Sequence, residues 1–337
     1  MAIVPFTGRK PRHDFCTNNL SLPSGGSLAA ERMAPRTSSH TPRPSKTRQT
    51  YADGCPFDHV QYFQGKILLK PERFSSIERF QDLASLARRT AKSADIDFIE
   101  DASAVQRPRV REIIFGDTPD FRLYNNGFIL RRRTQYVDGF PVGDPEIVFK
   151  FRHARWLNAA ALDVRPRISG QFRIKFKEQV LPQNDRIGSY RMLYSHNCQF
   201  GISQTHEVDR FAMSTLTRVF PPLNALKHSK QERLSIVNEG IIEELLLRLG
   251  ALDFGKGIVA KSSVSLWRTR GDHLPLVGEY SFQVKFDRRD DIPRRAKDRV
   301  KRFFLTLQRD ARDWIALGTT KTGLVYRLKG NALRRHE

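Results

Sequence analysis

Three short segments alternate charged and apolar residues in a way that could gather phosphate oxygens. In 146–152, EIVFKFR, a strand places Glu146, Val148, Lys150 and Arg152 on one face and Ile147, Phe149 and Phe151 on the other. In 172–177, FRIKFK, Arg173, Lys175 and Lys177 oppose Phe172, Ile174 and Phe176. In 279–286, EYSFQVKF, Glu279, Ser281, Gln283 and Lys285 oppose Tyr280, Phe282, Val284 and Phe286. Arg131 and Arg133 likewise share a face, with Arg132 on the other. An Arg fork meets phosphate oxygens two at a time, and a Lys ammonium acts as a point charge beside it. Like charges facing each other on neighbouring strands are destabilising, so a sheet that collects them bears a cost that an anionic ligand offsets. For any single strand the alternative is a half-exposed sheet face in water. Glu146 and Glu279 share faces with cations and are the carboxylates best placed to hold a metal or act as a general base. Glu112 and Asp209 read as partners that neutralise a nearby Lys or Arg. The nine histidines show no HxH or HExxH spacing, and neither a nucleophile elbow nor a Walker-type glycine loop occurs.

These side chains need elements to aim them. Besides the three alternating strands, 60–70, 110–116, 127–136, 258–268 and 323–329 read as strands. Helical spacing of apolar residues predicts helices over 72–92, 229–250 and 293–316, the last opening at Pro293. The architecture expected is α+β: an eight-stranded antiparallel β barrel with helices on the outside. About eight strands enclose a lumen for one small ligand. With helices outside, the apolar faces point outward and the cationic faces line a tunnel for a compact polyanion.

Composition supports a polyanion partner. The 337 residues carry 58 Lys+Arg against 36 Asp+Glu, a formal charge of +22, which attracts nucleic acid, anionic lipid or polyphosphate. At 39% apolar residues the chain can build a core. It has no apolar run long enough for a transmembrane helix. Cys16, Cys55 and Cys198 lie too far apart in sequence for a CxxC zinc site or a disulfide framework, which places the protein in a reducing compartment, the cytoplasm. Residues 1–57 are rich in Pro, Ser, Thr, Gly and Arg; the first fifty hold eight Lys/Arg and two acids. They read as a disordered basic tail before a domain over 58–330, with 331–337 a basic C-terminal tail. The cations of 293–313 read as a solvated helix face that could also touch nucleic acid or anionic lipid.

The run Phe115-Gly116-Asp117-Thr118-Pro119-Asp120-Phe121-Arg122-Leu123, followed by Gly127-Phe128-Ile129-Leu130-Arg131-Arg132-Arg133, resembles the CYTH family, the triphosphate tunnel metalloenzymes. Its D-T-P-D and L-R-x-R segments are followed in that family by a strand with basic residues, where EIVFKFR stands here. The resemblance covers residues 60–180. It implies an eight-stranded tunnel whose basic residues clamp a triphosphate, here Lys70, Arg131, Arg133, Lys150, Arg152, Arg173, Lys175 and Lys285. It also implies Mg²⁺ or Mn²⁺ held by tunnel carboxylates, here Glu146 and Glu279, which would then be catalytic. The family's first strand carries E-x-E-x-K. The sequence here is Lys66-Ile67-Leu68-Leu69-Lys70, with Lys66 and Leu68 at the two glutamate positions and Lys70 at the lysine. Replacing a metal ligand by Lys repels the cation, which argues against a metal. The function expected is binding, and metal-assisted hydrolysis if the protein is an enzyme, of a triphosphate or polyphosphate. The alternative is a non-catalytic binder of polyphosphate, nucleotide or nucleic acid.

Overall fold

The computed structural model describes residues 60–100, 108–202, 211–286 and 292–330, with the single positions 50 and 290. The expected tails at 1–57, apart from position 50, and at 331–337, with Asp209, Cys16 and Cys55, lie outside the described residues.

Ten strands appear in chain order: β1 (Tyr62–Leu69), β2 (Asp97–Ile99), β3 (Arg109–Asp117), β4 (Phe128–Val137), β5 (Phe140–His153), β6 (Arg173–Pro182), β7 (Tyr190–Gly201), β8 (Ser235–Asp253), β9 (Val259–Thr269) and β10 (Pro275–Lys285). The helices are α1 (Ile77–Ser93), α2 (Arg122–Asn125), α3 (Trp156–Ala161), α4 (Met213–Val219), α5 (Arg294–Asp310) and α6 (Lys321–Tyr326). The sheet runs β8-β3-β4-β5-β7-β6-β1-β10-β9, and a further β9–β8 pairing closes it into a ring. The barrel therefore has nine strands rather than eight, and the three-residue β2 adds to the end of β8 outside the ring. One neighbouring pair, β1 with β6, is parallel; the others are antiparallel.

Closure depends on β8. At 19 residues it is long enough to hold β3 along its first part and β9 along its second, with the two pairings overlapping from Ile242 to Leu246. The sequence predicts a helix here, and this is a correction. The apolar residues of β8 fall at near-helical spacing because bulges break the alternation. Asn238 and Glu239 take positive φ beside the register shift against β3, and the pairing with β9 shifts between Arg248 and Gly250. A Cβ at Gly250, whose φ is +127°, would lie 2.3 Å from the Ile99 carbonyl oxygen. The expected strand at 323–329 is also corrected: Lys321–Tyr326 is helical and is capped by Thr320, whose hydroxyl accepts from the Gly323 amide at 3.0 Å.

Apolar strand faces point outward against the helices, and a separate buried cluster joins the cavity-lining Leu68, Ile113 and Trp267 to Val325 and Tyr326 of α6. On the outer face of β10, Phe282 meets Phe303 of α5 at 5.4 Å and Phe254 at 5.8 Å. Gly65 of β1 leaves room for that Phe282 ring, which would lie 2.3 Å from an added Cβ. On the outer face of β5, Phe149 stacks on Phe220 at 3.9 Å, within a cluster that includes Met213 and Leu216 of α4. Burying a Phe of this kind contributes about 2–3 kcal/mol. With the apolar faces committed to the outside, alternation turns the charged faces inward. No helix among the described residues is long and apolar enough to cross a membrane.

Candidate functional site

Strand register aligns the inward residues into rows. Lys150 of β5 pairs with Asn197 of β7, and Asn197 with Lys175 of β6. Arg152 pairs with Ser195, and Ser195 with Lys177, in the next row. Glu146 of β5 sits opposite Arg133 of β4, and Arg131 lies two residues on. Across the ring, Leu68 of β1 pairs with Glu279 of β10, Glu279 with Ser265 of β9, and Trp267 of β9 with Glu244 of β8, which faces Arg111 of β3.

All of these except Ser195 line one cavity of about 370 Å³. Its wall carries ten Lys and Arg against three Glu, a net of +7. The chain folds as a closed cationic tunnel.

Among the residues read from sequence, the tunnel brings together Arg131, Arg133, Lys150, Arg152, Arg173, Lys175, Lys177, Glu146 and Glu279. Lys70 is not on its wall. It follows the end of β1, and its backbone amide donates to the Trp314 carbonyl at 2.7 Å. Lys285, the exposed last residue of β10, is also off the wall. The lysine that β1 turns inward is Lys66, which lies 3.8 Å from Glu279. Glu112 points away from the lumen, where it bonds Arg270 and lies 3.6 Å from Arg132.

Among the charged wall residues, sequence reasoning missed Glu244, Arg111 and Lys321. Glu244 lay in the segment read as a helix, and Lys321 lay just before the segment read as a strand. Gly240 and Gly250, both poor helix residues, are the signal that argues for a strand over 241–249. Arg111, Ile113 and Phe115 alternate within a strand that was recognised, but their inward face was not assigned.

The charges sort by depth. At Glu146, Arg133 donates to one carboxylate oxygen and Arg173 to the other, the second at 3.2 Å. Further in, burial alone would raise the Glu244 carboxyl; Arg111, Lys321 and the Trp267 indole N–H more than reverse this and hold it well below the usual carboxylate range. Glu279 is also held low against its burial, by Lys321 and Lys66. The lysines move downward. Burial lowers Lys66 and Lys175 to about 8, and the cations around them add to the effect. Lys150 and Lys177 are driven well below the ordinary lysine value, by burial first and then by neighbouring cations. For Lys150 the charges that weigh most are Arg152, Arg131, Lys66 and Lys177, every one of them positive. Arg131 is buried beside Arg133, and its Nε has no hydrogen-bond partner.

The D-T-P-D segment builds the tunnel rather than lining it. Buried Asp117 accepts from the amides of Thr118, Leu123 and Tyr124 at 2.7, 2.8 and 2.9 Å, and from the Tyr326 hydroxyl at 3.0 Å. These bonds fold α2 and tie it to α6, which fixes where β4 begins and so which of its arginines face inward.

A divalent cation does not fit this donor set. Hard cations gather several carboxylate or water oxygens. Here each wall carboxylate already engages Lys or Arg, and the described residues contain no group of three or more His, Cys, Asp or Glu that could hold a metal.

No protein-family model matches the sequence, and no curated protein does. Solved structures resemble it in part. One, from Hippeastrum, is described as a candidate adenylyl cyclase with a dominant triphosphatase activity; it shares 13% identity and a TM-score of 0.40, over 82% of this chain and 100% of that one. A candidate adenylate cyclase from Bacillus halodurans shares 9% identity and a TM-score of 0.37, over 81% and 98%. A Pyrococcus horikoshii protein shares 12% identity and a TM-score of 0.33, over 80% and 99%. At these scores the likenesses add no weight to the tunnel's own geometry. The closed ring of strands is the architecture expected from the sequence, with nine strands in place of eight.

Proposed function

We propose that the tunnel binds the triphosphate or polyphosphate portion of its ligand. The observation that carries this reading is Lys150, a 6%-exposed lysine whose dominant charged neighbours are all cations, on a wall of net +7. A buried charge is tolerated when it is paired, and a chain of phosphates supplies the missing anions. A ring of this size encloses one small ligand rather than a nucleic-acid duplex, which favours a free phosphate chain over the nucleic-acid alternative. Arg131, Arg133, Lys150, Arg152, Lys175 and Lys177 would hold the phosphate oxygens. Glu146 would compete with the ligand for Arg133 and Arg173 at the rim. Hydrolysis is a second reading, drawn from the tunnel fold alone, and it requires a group to activate water.

Tripolyphosphate is expected to raise the unfolding temperature far more than sulfate at equal ionic strength, with an affinity that falls steeply with salt. Lys150→Met is expected to weaken binding about tenfold or more. No stabilisation by tripolyphosphate would remove the reading. Phosphate release measured with Mg²⁺, with Mn²⁺ and with EDTA decides whether binding leads to hydrolysis.

A further inference from the structure

Lys321 reaches the lumen from α6, which is not one of the ring's strands. Its Nζ lies 3.0 Å from Glu279 Oε1, 3.3 Å from Glu244 Oε1 and 3.0 Å from Ser265 Oγ, and 4.6 Å from the centre of the Trp267 ring. Two carboxylates and a hydroxyl thus converge on one cation, backed by an aromatic face. The helix that delivers this cation is anchored on three sides. Tyr326 bonds buried Asp117, Asn238 donates to the Val325 and Tyr326 carbonyls at 2.7 and 3.0 Å, and Tyr124 stacks on Tyr326 at 4.2 Å. The ammonium is therefore held in place by the fold, and it takes up the acid pair that a hard divalent ion would need.

We propose that Lys321 is the tunnel's resident cation: its ammonium occupies the Glu244–Glu279 pair in place of a divalent metal, so that a phosphate chain binds without one. This rests on the polyphosphate reading for its ligand, but the occupancy of the acid pair can be tested apart from it. Lys321 neutralises carboxylates that would otherwise repel phosphate, and as part of the chain it cannot be removed by a chelator. The fold thereby retains two buried acids on a wall whose net charge stays positive.

Two measurements test this. In the first, Mn²⁺ alone is titrated against the wild type, Lys321→Ala and Lys321→Met, followed by calorimetry and by the paramagnetic signal of free Mn²⁺. Removing the ammonium opens the space between two buried carboxylates, each of which keeps one cation on its far side, Arg111 at Glu244 and Lys66 at Glu279. Both variants are expected to gain a Mn²⁺ site with a Kd on the order of 10⁻⁴–10⁻³ M, abolished by adding Glu244→Gln, while the wild type shows none. A wild type that binds Mn²⁺ as well as the variants do overturns the proposal. The second uses the wild type only, so it survives any failure of the variants to fold. Tripolyphosphate affinity is expected to agree within about twofold between EDTA and millimolar Mg²⁺. Binding that requires Mg²⁺ overturns the role of Lys321 and leaves the polyphosphate reading standing. Absence of tripolyphosphate binding in both conditions defeats the polyphosphate reading, and the Mn²⁺ titration then decides the role of Lys321 by itself.

Discussion

Lys150 shows how a single side chain can be costly to the fold and useful to a ligand. Its ammonium is buried and surrounded by Arg152, Arg131, Lys66 and Lys177. Lys150→Met is therefore expected to stabilise the ligand-free protein, by about 1–2 kcal/mol, while weakening tripolyphosphate binding. Urea unfolding and calorimetry on the same variant check both signs, and a variant less stable than wild type would refute the account of the wall. Glu146 should behave in the opposite sense. It engages Arg133 and Arg173 on the wall, where it competes with a ligand for both. Glu146→Gln frees both, so tripolyphosphate affinity is expected to rise about fivefold, equivalent to about 1 kcal/mol, as for a partly exposed ion pair. The alternation of Glu146, Lys150 and Arg152 was legible in the sequence because period two assigns faces without further information. The positions of Lys70 and Lys285 were not, because alternation does not say where a strand stops.

The same contrast holds for whole elements. The D-T-P-D turn is recognisable as a motif, and its role is to seat α2 and α6. Both oxygens of Asp117 accept two hydrogen bonds each. Asp117→Asn turns an amide N–H₂ toward two donors, and a loss of about 2–3 kcal/mol is expected, read as a lower urea midpoint with the slope unchanged. Since Tyr326 is one of the donors and α6 carries Lys321, the same variant should also loosen the ammonium from the Glu244–Glu279 pair. β8 was the element least legible in the sequence. Its bulges at Asn238–Glu239 and Gly250 spread its apolar residues at intervals that mimic a helix. Bulges are set by how a strand bends to meet two partners, and only the partners reveal them.

Across the molecule, the lowered lysines make stability and binding respond to pH in opposite directions. Lys66 and Lys175 stand at about 8 in the fold against 10.5 in the open chain. Between those values the unfolded chain binds more protons, so the stability of the ligand-free protein rises with pH there. Cys198 limits the window from above. Burial pushes its thiol up to about 12 from 9.0, and this costs stability once the unfolded thiol ionises above pH 9. Between pH 7.5 and 9 the unfolding temperature without ligand is therefore expected to rise, by about 2–4 °C. A phosphate chain favours the charged lysines, so tripolyphosphate affinity should fall over the same range, and binding at pH 8 should take up protons. Calorimetry in two buffers of different ionisation enthalpy measures that uptake. A flat stability profile together with pH-independent affinity would mean that the wall lysines are solvated.

By itself the sequence determined the amphipathic strands and the excess of positive charge. These follow from residue type and a period of two, which are local properties. Tertiary structure alone decided that the ring has nine strands, that Glu244 and Arg111 share its lumen, and that Lys321 of α6 meets Glu279, which lies 42 positions earlier in the chain. Closure is a property of all the strands together. The distance between side chains on opposite walls depends on the size of the ring and on its bulges, and no short stretch of sequence encodes either.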